Sequence, residues 1–317
     1  MSQVVVGRLA LLGVSVVWGA NFTAMRVLLD RLDPLDIASL RTAIAAVGFA
    51  LVLLARRRRL PRLSRAEWGR VALLGVLGVA VFNLATVTGQ RLLPASLSSL
   101  IVSSSPIFTA AFAIALGFER ASARMAGSLA LATAGLALLV LRGRDPGAVL
   151  TPEVALSAAI LTAAPVAWAA YTVLAKPLLA RHEAVPVAAV GMFAGAAMLA
   201  PLLVLDPGRR DRIAALDAAG WAAFLFSSLV SLVLGFILFS WGLRALSPSQ
   251  ASMTTYLTPV VAVLVAWAAL GEQPTPGLLA GGALILVAVV VATTAAGQAP
   301  SSGGAPTPTP RIRPAPR

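Results

Sequence analysis

The sequence contains no cysteine and only one histidine, His182, in 317 residues. Disulfides and thiolate metal sites are therefore excluded, and a single histidine cannot form a metal-binding cluster. We expect no metal site and no cofactor. Charged residues make up only 12% of the chain, about half of their share in a soluble domain, whereas hydrophobic residues make up 59%. So few polar residues cannot cover a water-facing surface, and the composition predicts an integral membrane protein.

The uncharged runs predict how often the chain crosses the membrane. A spanning helix needs about 20 apolar residues, and a charge at its centre costs roughly 2.5 to 3.5 kcal/mol. Six long runs lie between Arg70 and Arg91, Arg91 and Glu119, Glu153 and Lys176, Glu183 and Asp206, Asp217 and Arg244, and Arg244 and Glu272. Four further runs extend from Ala10 to Leu29, Leu35 to Ala55, Met125 to Leu141, and Gly277 to about Thr294. We therefore expect an all-α protein with ten transmembrane helices.

Basic residues predict the orientation of these helices. With the N-terminus inside, the cytoplasmic segments contain sixteen lysines and arginines, and the opposite side contains eight. Cytoplasmic loops are enriched in these residues, and the run Arg56 to Arg59 is the strongest anchor. The loops account for the net charge of +13, so we expect no nucleic-acid partner. We predict a multi-pass protein of the cytoplasmic membrane with both termini in the cytoplasm.

Two parts of the chain repeat each other. At an offset of 153 residues, Gly89, Arg91, Leu93, Ser96, Ser99, Pro106, Ala113, Ala115 and Glu119 recur as Gly242, Arg244, Leu246, Ser249, Ser252, Pro259, Ala266, Ala268 and Glu272. At an offset of 150, Trp18, Ala20 and Arg26 match Trp168, Ala170 and Lys176. The repeat predicts two five-helix halves, residues 8–142 and 153–296, and five is odd, so the halves cross the bilayer in opposite senses. Residues 297–317 are rich in Pro, Gly, Ser and Thr and are predicted to form a disordered cytoplasmic tail.

A family resemblance rests on Trp18-Gly19-Ala20-Asn21-Phe22 and on the stretch from Arg244 through Tyr256-Leu257-Thr258-Pro259 to Leu270-Gly271-Glu272. These motifs resemble the drug/metabolite transporter superfamily, EamA type, and the resemblance covers roughly residues 8 to 296. It implies a ten-helix inverted-repeat carrier that moves a small metabolite by alternating access, most often outward.

Polar and aromatic residues within the predicted spans fall on single helix faces, as the i, i+3, i+7 spacing of Asn83, Thr86 and Gln90 illustrates. Such faces point into a bundle or a water-filled path. The predicted substrate-binding residues are Trp18, Asn21, Phe22, Arg41, Asn83, Thr86, Ser99, Ser103, Trp168, Tyr171, Ser231, Thr255 and Tyr256. Serine and threonine also pack as small residues or bond to their own helix, and tryptophan also suits an interfacial belt.

Arg41 is a charge inside the second predicted span, seven residues after Pro34 and about 10 Å along the helix. A charge at that depth needs a partner or water. Three interpretations stay open: Arg41 binds a carboxylate of the substrate, pairs with Asp36, or extends toward the outer surface.

Prolines and glutamates occupy matched positions in the two halves. Pro106 and Pro259 cannot donate to the carbonyls of Val102 and Thr255, so each is predicted to kink its helix, as a hinge or for packing alone. Glu119 and Glu272 are predicted to mark helix ends at opposite membrane faces, with a role in gating as the alternative.

The sequence therefore predicts a secondary transporter for an amino acid, an aromatic metabolite or a drug-like amphiphile, acting as an exporter. Its predicted partners are this small molecule and the lipid bilayer, and we expect a monomer or a weak homodimer. An enzyme is disfavoured because no predicted span has Asp, Glu or His at its centre. The alternatives are a scaffold or sensor without transport and an uptake antiporter of nucleotide-sugar type, which is disfavoured by the scarcity of intramembrane cations for a phosphate.

Overall fold

A computed structural model describes residues 2–91, 93, 95–142, 151–203, 206, 208–270 and 276–294. Every regular element in these residues is helical, and no strand occurs among them. The helices are α1 Gln3–Leu29, α2 Pro34–Ala55, α3 Arg65–Gly89, α4 Ala95–Val102, α5 Ser105–Ala115, α6 Ala123–Arg142, α7 Pro152–Arg181, α8 Ala184–Leu203, α9 Arg209–Ala214, α10 Ala218–Ala245, α11 Pro248–Met253, α12 Leu257–Leu270 and α13 Pro276–Thr294. Glu272 and the predicted tail lie outside the described residues.

The helices begin where the sequence provides capping residues. Ser64 and Ser247 each form a capping box, with Glu67 and Gln250 respectively, at the starts of α3 and α11. Asp217 accepts a hydrogen bond from the backbone N–H of Gly220 at the start of α10. These contacts satisfy N–H groups that have no partner within the helix, which matters most near a membrane, where water is scarce.

Six helices of the described residues are long and apolar enough to cross a membrane, namely α1, α2, α3, α7, α8 and α10. Their outward faces carry large apolar side chains, among them Val47, Leu54 and Leu156, each at least 60% exposed. A surface of this kind suits lipid and not water. The prediction of a helical integral membrane protein is confirmed.

Four interruptions of the α-helical geometry occur at corresponding places in the two halves. Gly75–Val81 within α3 and Phe226–Leu234 within α10 are π-helical. The chain also leaves the α-helix between α4 and α5, at Ser103 and Ser104, and between α11 and α12, where Thr254–Tyr256 forms a 3₁₀ turn. At the offset of 153 residues, each interruption overlaps its counterpart in the other half.

The helix contacts follow the same correspondence. Helix α1 packs on α10 and α12, and its counterpart α7 packs on α3 and α5. Helix α2 packs on α8 and α10, whereas α8 packs on α2 and α3; α6 and α13 pack on each other. The counterparts are α1 and α7, α2 and α8, α3 and α10, α5 and α12, and α6 and α13. Exchanging each helix for its counterpart reproduces these contacts.

Two repeated glycines explain how closely these helices approach. A Cβ at Gly89 would lie 2.6 Å from the Cβ of Leu161, and a Cβ at Gly242 would lie 2.3 Å from the Cγ of Leu11. No side chain larger than hydrogen fits at such distances. Leu11 and Leu161 are themselves 150 residues apart, so the two contacts are equivalent and place α3 against α7 as α10 lies against α1.

Candidate functional site

A cavity lies among helices from both halves; its empty space, including the part open to solvent, is about 620 Å³. Sixteen described residues line it: Trp18, Asn21, Phe22, Arg41, Phe82, Thr86, Gln90, Val102, Ser103, Ser105, Trp168, Ser231, Leu232, Phe236, Thr255 and Thr258.

Aromatic rings form one wall of the cavity. The ring of Trp168, which is 2% exposed, lies 5.0 Å from Trp18, 5.1 Å from Phe82 and 5.4 Å from Phe236, measured between ring centroids. The Trp18 and Trp168 rings are nearly perpendicular, at 85°, an arrangement that aromatic pairs favour. This wall is suited to an apolar or aromatic group of a ligand.

The π-helical stretch of α10 contributes Ser231 and Leu232 to the cavity wall, and that of α3 ends at Val81, just before the lining residue Phe82. In a π-helix the N–H of residue i donates to the carbonyl of residue i−5, as the N–H of Phe82 does to Leu77. The carbonyl of Ser231 accepts from the indole Nε1 of Trp18 at 3.1 Å, and that of Ser227 accepts from the guanidinium of Arg41 at 3.3 Å. Both side chains are therefore fixed by the π-helical stretch of α10.

The two broken helices meet at their interruptions. The hydroxyl of Ser103 is 3.5 Å from the carbonyl of Thr255, and the hydroxyls of Ser105 and Thr255 are 3.4 Å apart. The carbonyl of Thr254 accepts from the hydroxyl of Ser15 at 2.8 Å. Hydroxyl groups thus satisfy carbonyls at the interruptions. The breaks lie just before Pro106 and Pro259, where kinks were predicted; the hinge function of these prolines stays a prediction.

Several polar atoms in the cavity wall have no hydrogen-bond partner among the described residues. They are buried nitrogen and oxygen atoms of five lining residues: Asn21 Oδ1, Arg41 Nε, Gln90 Nε2, Trp168 Nε1 and Thr258 Oγ1. Buried polar atoms are nearly always hydrogen-bonded in folded proteins, because leaving one unpaired costs roughly 1 to 3 kcal/mol. A group of them around one cavity indicates that a polar ligand or water fills it.

Arg41 is 3% exposed, and its side chain reaches the cavity instead of the outer surface. Pairing with Asp36 is excluded, because the Asp36 carboxylate accepts from Arg209 at 2.6 Å and from Arg212 at 2.6 Å. Arg212 also binds Asp206, and this hydrogen bond lowers the pKa of the Asp206 carboxyl. The interpretation of Arg41 as a ligand contact stays a prediction.

Nine of the thirteen predicted binding residues line the cavity: Trp18, Asn21, Phe22, Arg41, Thr86, Ser103, Trp168, Ser231 and Thr255. The other four lie outside its lining. Asn83 donates to the carbonyl of Val79 at 2.8 Å, one turn back in its own helix. Tyr171 stacks behind Trp168 at 4.9 Å, and the hydroxyl of Tyr256 lies 3.4 Å from that of Thr133 on α6. Ser99 is buried away from the cavity.

Seven lining residues were not in the predicted set: Phe82, Gln90, Val102, Ser105, Leu232, Phe236 and Thr258. Gln90 carried a signal, since it shares the face of Thr86. The four apolar residues carried none, because an apolar side chain in a membrane helix looks the same whether it faces lipid or a ligand.

Contacts at one end of the bundle hold helix ends together, within the second half for Lys176 and between the two halves for Glu119. The ammonium group of Lys176 donates to the carbonyls of Leu243 and Leu246, both at 2.6 Å, where α10 ends. The carboxylate of Glu119 accepts from the backbone N–H of Ser249, at 2.9 Å, where α11 begins. Glu119 therefore caps a helix of the other half; its role in gating stays a prediction.

Comparisons with known proteins agree with a membrane transporter. The chain matches the model of the EamA-like transporter family twice, over residues 5–141 and 155–294. It is 32% identical to a probable terminal-alkyne amino-acid exporter of Streptantibioticus cattleyicolor, over 85% of this chain and 87% of that protein. It is 27% identical to the uncharacterized inner membrane transporter YedA of Escherichia coli K12, over 83% of this chain and 82% of that protein.

A solved crystal structure with 21% identity has the same fold, with a TM-score of 0.73 over 92% of this chain and 96% of that one. The family match and these relatives indicate a transporter and not an enzyme. They confirm the predicted resemblance to drug/metabolite transporters. With both halves of the sequence matched by the same model, the chain belongs to the EamA-like transporter family.

Proposed function

We propose that the protein is a secondary transporter that exports a small amphiphilic metabolite of the amino-acid class by alternating access. The observation that carries this proposal is the position of the cavity, whose lining comes from the interrupted helices of both halves. A site between two repeats can be exposed to either side when one half rocks against the other. The name of the Streptantibioticus relative supports both the direction and the substrate class.

The proposed architecture has ten spans in two inverted halves, residues 8–142 and 153–296. Besides the six long helices, the pairs α4 with α5 and α11 with α12 each form a broken span, and α6 and α13 supply the remaining two. The matched interruptions and the exchangeable helix contacts support this arrangement. An odd number of spans per half requires opposite orientations in the membrane.

The predicted orientation is testable because the chain has no native cysteine. In intact cells, a cysteine at Arg58 is expected to be shielded from an impermeant thiol reagent, and one at Gly208 is expected to be labelled. The excess of basic residues on the side of Arg58 is the physical reason. Labelling of the Arg58 cysteine from outside, with Gly208 protected, would reverse the assignment of both termini to the cytoplasm.

The contacts of Lys176 and Glu119 lie at the predicted cytoplasmic end and close it in this conformation. At the opposite end, Arg26 is the counterpart of Lys176, but it pairs only weakly with Asp30, at 3.6 Å, and its side chain is 52% exposed. The predicted outer end is held instead by Asp36 of the first half, which accepts from Arg209 and Arg212 of the second half, both at 2.6 Å. We infer that the contacts of Lys176 and Glu119 stabilise closure of the cytoplasmic end.

Replacing Lys176 with methionine is expected to favour the inward-open conformation. Hydrogen bonds from a charged group contribute roughly 1.5 to 3 kcal/mol, so the ratio of the two conformations should shift roughly 10- to 150-fold. The measurement is the labelling rate of a cysteine at Thr86, in the cavity, from the cytoplasmic face of inverted vesicles. Arg181→Met is the matched control, because Arg181 is at the same helix end with its side chain 74% exposed. Equal labelling rates in both variants would remove Lys176 from the gate.

Transport itself is tested with the purified protein in proteoliposomes. Separate batches of vesicles are loaded with radiolabelled apolar amino acids, their amides, the corresponding amines or nucleotide sugars, and efflux is compared with that from protein-free vesicles. Efflux of at least one compound above the control is expected. Monodisperse protein that moves none of them would favour the scaffold or sensor, and efflux only of nucleotide sugars would favour the antiporter.

A further inference from the structure

Resting on the proposed transport function, we propose that Arg41 binds the carboxylate of the transported molecule and thereby selects monocarboxylates that carry an apolar group. Arg41 is the one ionisable side chain among the sixteen described residues that line the cavity. The cavity wall therefore contributes a single positive charge and no carboxylate to neutralise it.

The guanidinium of Arg41 is poorly satisfied by the protein. One terminal nitrogen lies 3.3 Å from the sulfur of Met25, a weak acceptor, and the other donates to the carbonyl of Ser227 at 3.3 Å. The Nε has no partner. Both acceptors are neutral, so the buried charge keeps its attraction for an anion, and the planar fork of arginine matches the two oxygens of a carboxylate.

Asp36 is the carboxylate nearest to Arg41 along α2, but it is paired with other arginines. This carboxylate precedes Arg41 by five residues on α2 and is 1% exposed. Arg209 and Arg212, from the segment after α8, occupy both of its oxygens. Asp36 is thus paired with two other arginines, and no ion pair of Arg41 with a carboxylate occurs among the described residues.

The other unpaired atoms of the cavity fit the same kind of ligand. Gln90 Nε2 and Trp168 Nε1 are donors, which suit carboxylate oxygens, and Asn21 Oδ1 is an acceptor, which suits an amino group. The aromatic wall offers a surface for an apolar side chain. A single guanidinium favours a monoanion, because a phosphate dianion would leave one negative charge without a partner. An apolar amino acid, as a zwitterion, meets all of these requirements.

The experiment compares each acid with its neutral amide in proteoliposomes that contain the parent protein, Arg41→Gln, Arg41→Lys or the control Arg31→Gln. Arg31 lies outside the cavity and pairs with Asp217 at 3.0 Å. For the parent and for Arg31→Gln, we expect the acid to leave roughly 10- to 150-fold faster than its amide, which is the range for hydrogen bonds to a charged group. Arg41→Gln should slow the acid to the rate of the amide while the amide itself is unaffected. Arg41→Lys should lie between the two, because it keeps the charge but loses the fork.

The outcomes separate this inference from the proposed function. Equal efflux of acid and amide by the parent protein overturns the role of Arg41 and leaves transport intact, as does an unchanged ratio in folded Arg41→Gln. Efflux of the amines without efflux of the acids would also overturn the role of Arg41 and leave the transport function intact. If no compound is moved, the proposed transport function fails. The acid and amide comparison on the parent protein needs no variant, so misfolding of Arg41→Gln does not prevent the test.

Discussion

Alanine in place of Trp168 is expected to weaken substrate binding about five- to 150-fold, because it removes the central ring of the aromatic wall. An aromatic contact and its partners contribute roughly 1 to 3 kcal/mol to such binding. Trp168 lies within 5.4 Å of Trp18, Phe82, Tyr171 and Phe236, measured between ring centroids. Its loss also opens a cavity in the core, at a cost of about 3 to 5 kcal/mol in the free energy of unfolding. Ligand titration of monodisperse protein, combined with thermal unfolding, measures both effects.

The matched control is Trp241→Ala. Trp241 is also a tryptophan in a membrane-spanning helix, but it is 37% exposed and does not line the cavity. Its replacement should leave affinity unchanged and cost little stability. A folded Trp168→Ala protein that binds substrate as tightly as the parent would show that the substrate occupies a different surface.

Replacing Asp36 with asparagine is expected to lower the free energy of unfolding by about 3 to 5 kcal/mol, since it leaves a buried arginine without its counter-ion. Asp36 is 1% exposed and Arg209 is 5% exposed, and the two are joined at 2.6 Å. An amide of the same size keeps the packing but not the charge. The measurement is the midpoint of thermal unfolding of the purified protein in detergent.

Asp33→Asn provides the comparison for this effect. Asp33 directly precedes α2, three residues before Asp36, but its side chain is 51% exposed and its arginine contacts, to Arg91 and Arg212, are 3.9 and 3.7 Å long. Exposed pairs of this kind contribute between zero and about 1 kcal/mol. Equal destabilisation by the two substitutions would mean that the buried ion pair contributes no more than a surface one.

The helical membrane character, the repeat and most of the cavity could be predicted from the sequence because they depend on composition and spacing. Asn83 shows the limit of this approach. A period of 3.6 residues places it on the face of Thr86, and both lie in the α-helical part of α3 after Gly75–Val81, but spacing does not indicate which partner the amide takes. Its amide binds the carbonyl of Val79.

The π-helical stretches themselves could not be predicted. Their sequences, GVLGVAV and FSSLVSLVL, share no residue pattern that sets them apart from ordinary membrane helix. In α10 the freed carbonyls are stabilised by Trp18 and Arg41, which belong to other helices. The ion pair of Asp36 with Arg209 joins residues 173 positions apart, and no local spacing indicates it.

The segment between α8 and α10 has a consequence for how a substrate is oriented. A carrier with two equivalent halves would offer its substrate two equivalent poses, related by the two-fold exchange of the halves. Helix α9, which carries Arg209 and Arg212, has no counterpart between α2 and α3. Because Arg209 and Arg212 of α9 pair with Asp36, Arg41 keeps its charge, and this charge lies in one half only. The two poses of the substrate are then no longer equivalent. With the proposed role of Arg41, we expect the substrate to keep the same end against α2 in both conformations and to cross the membrane without turning over.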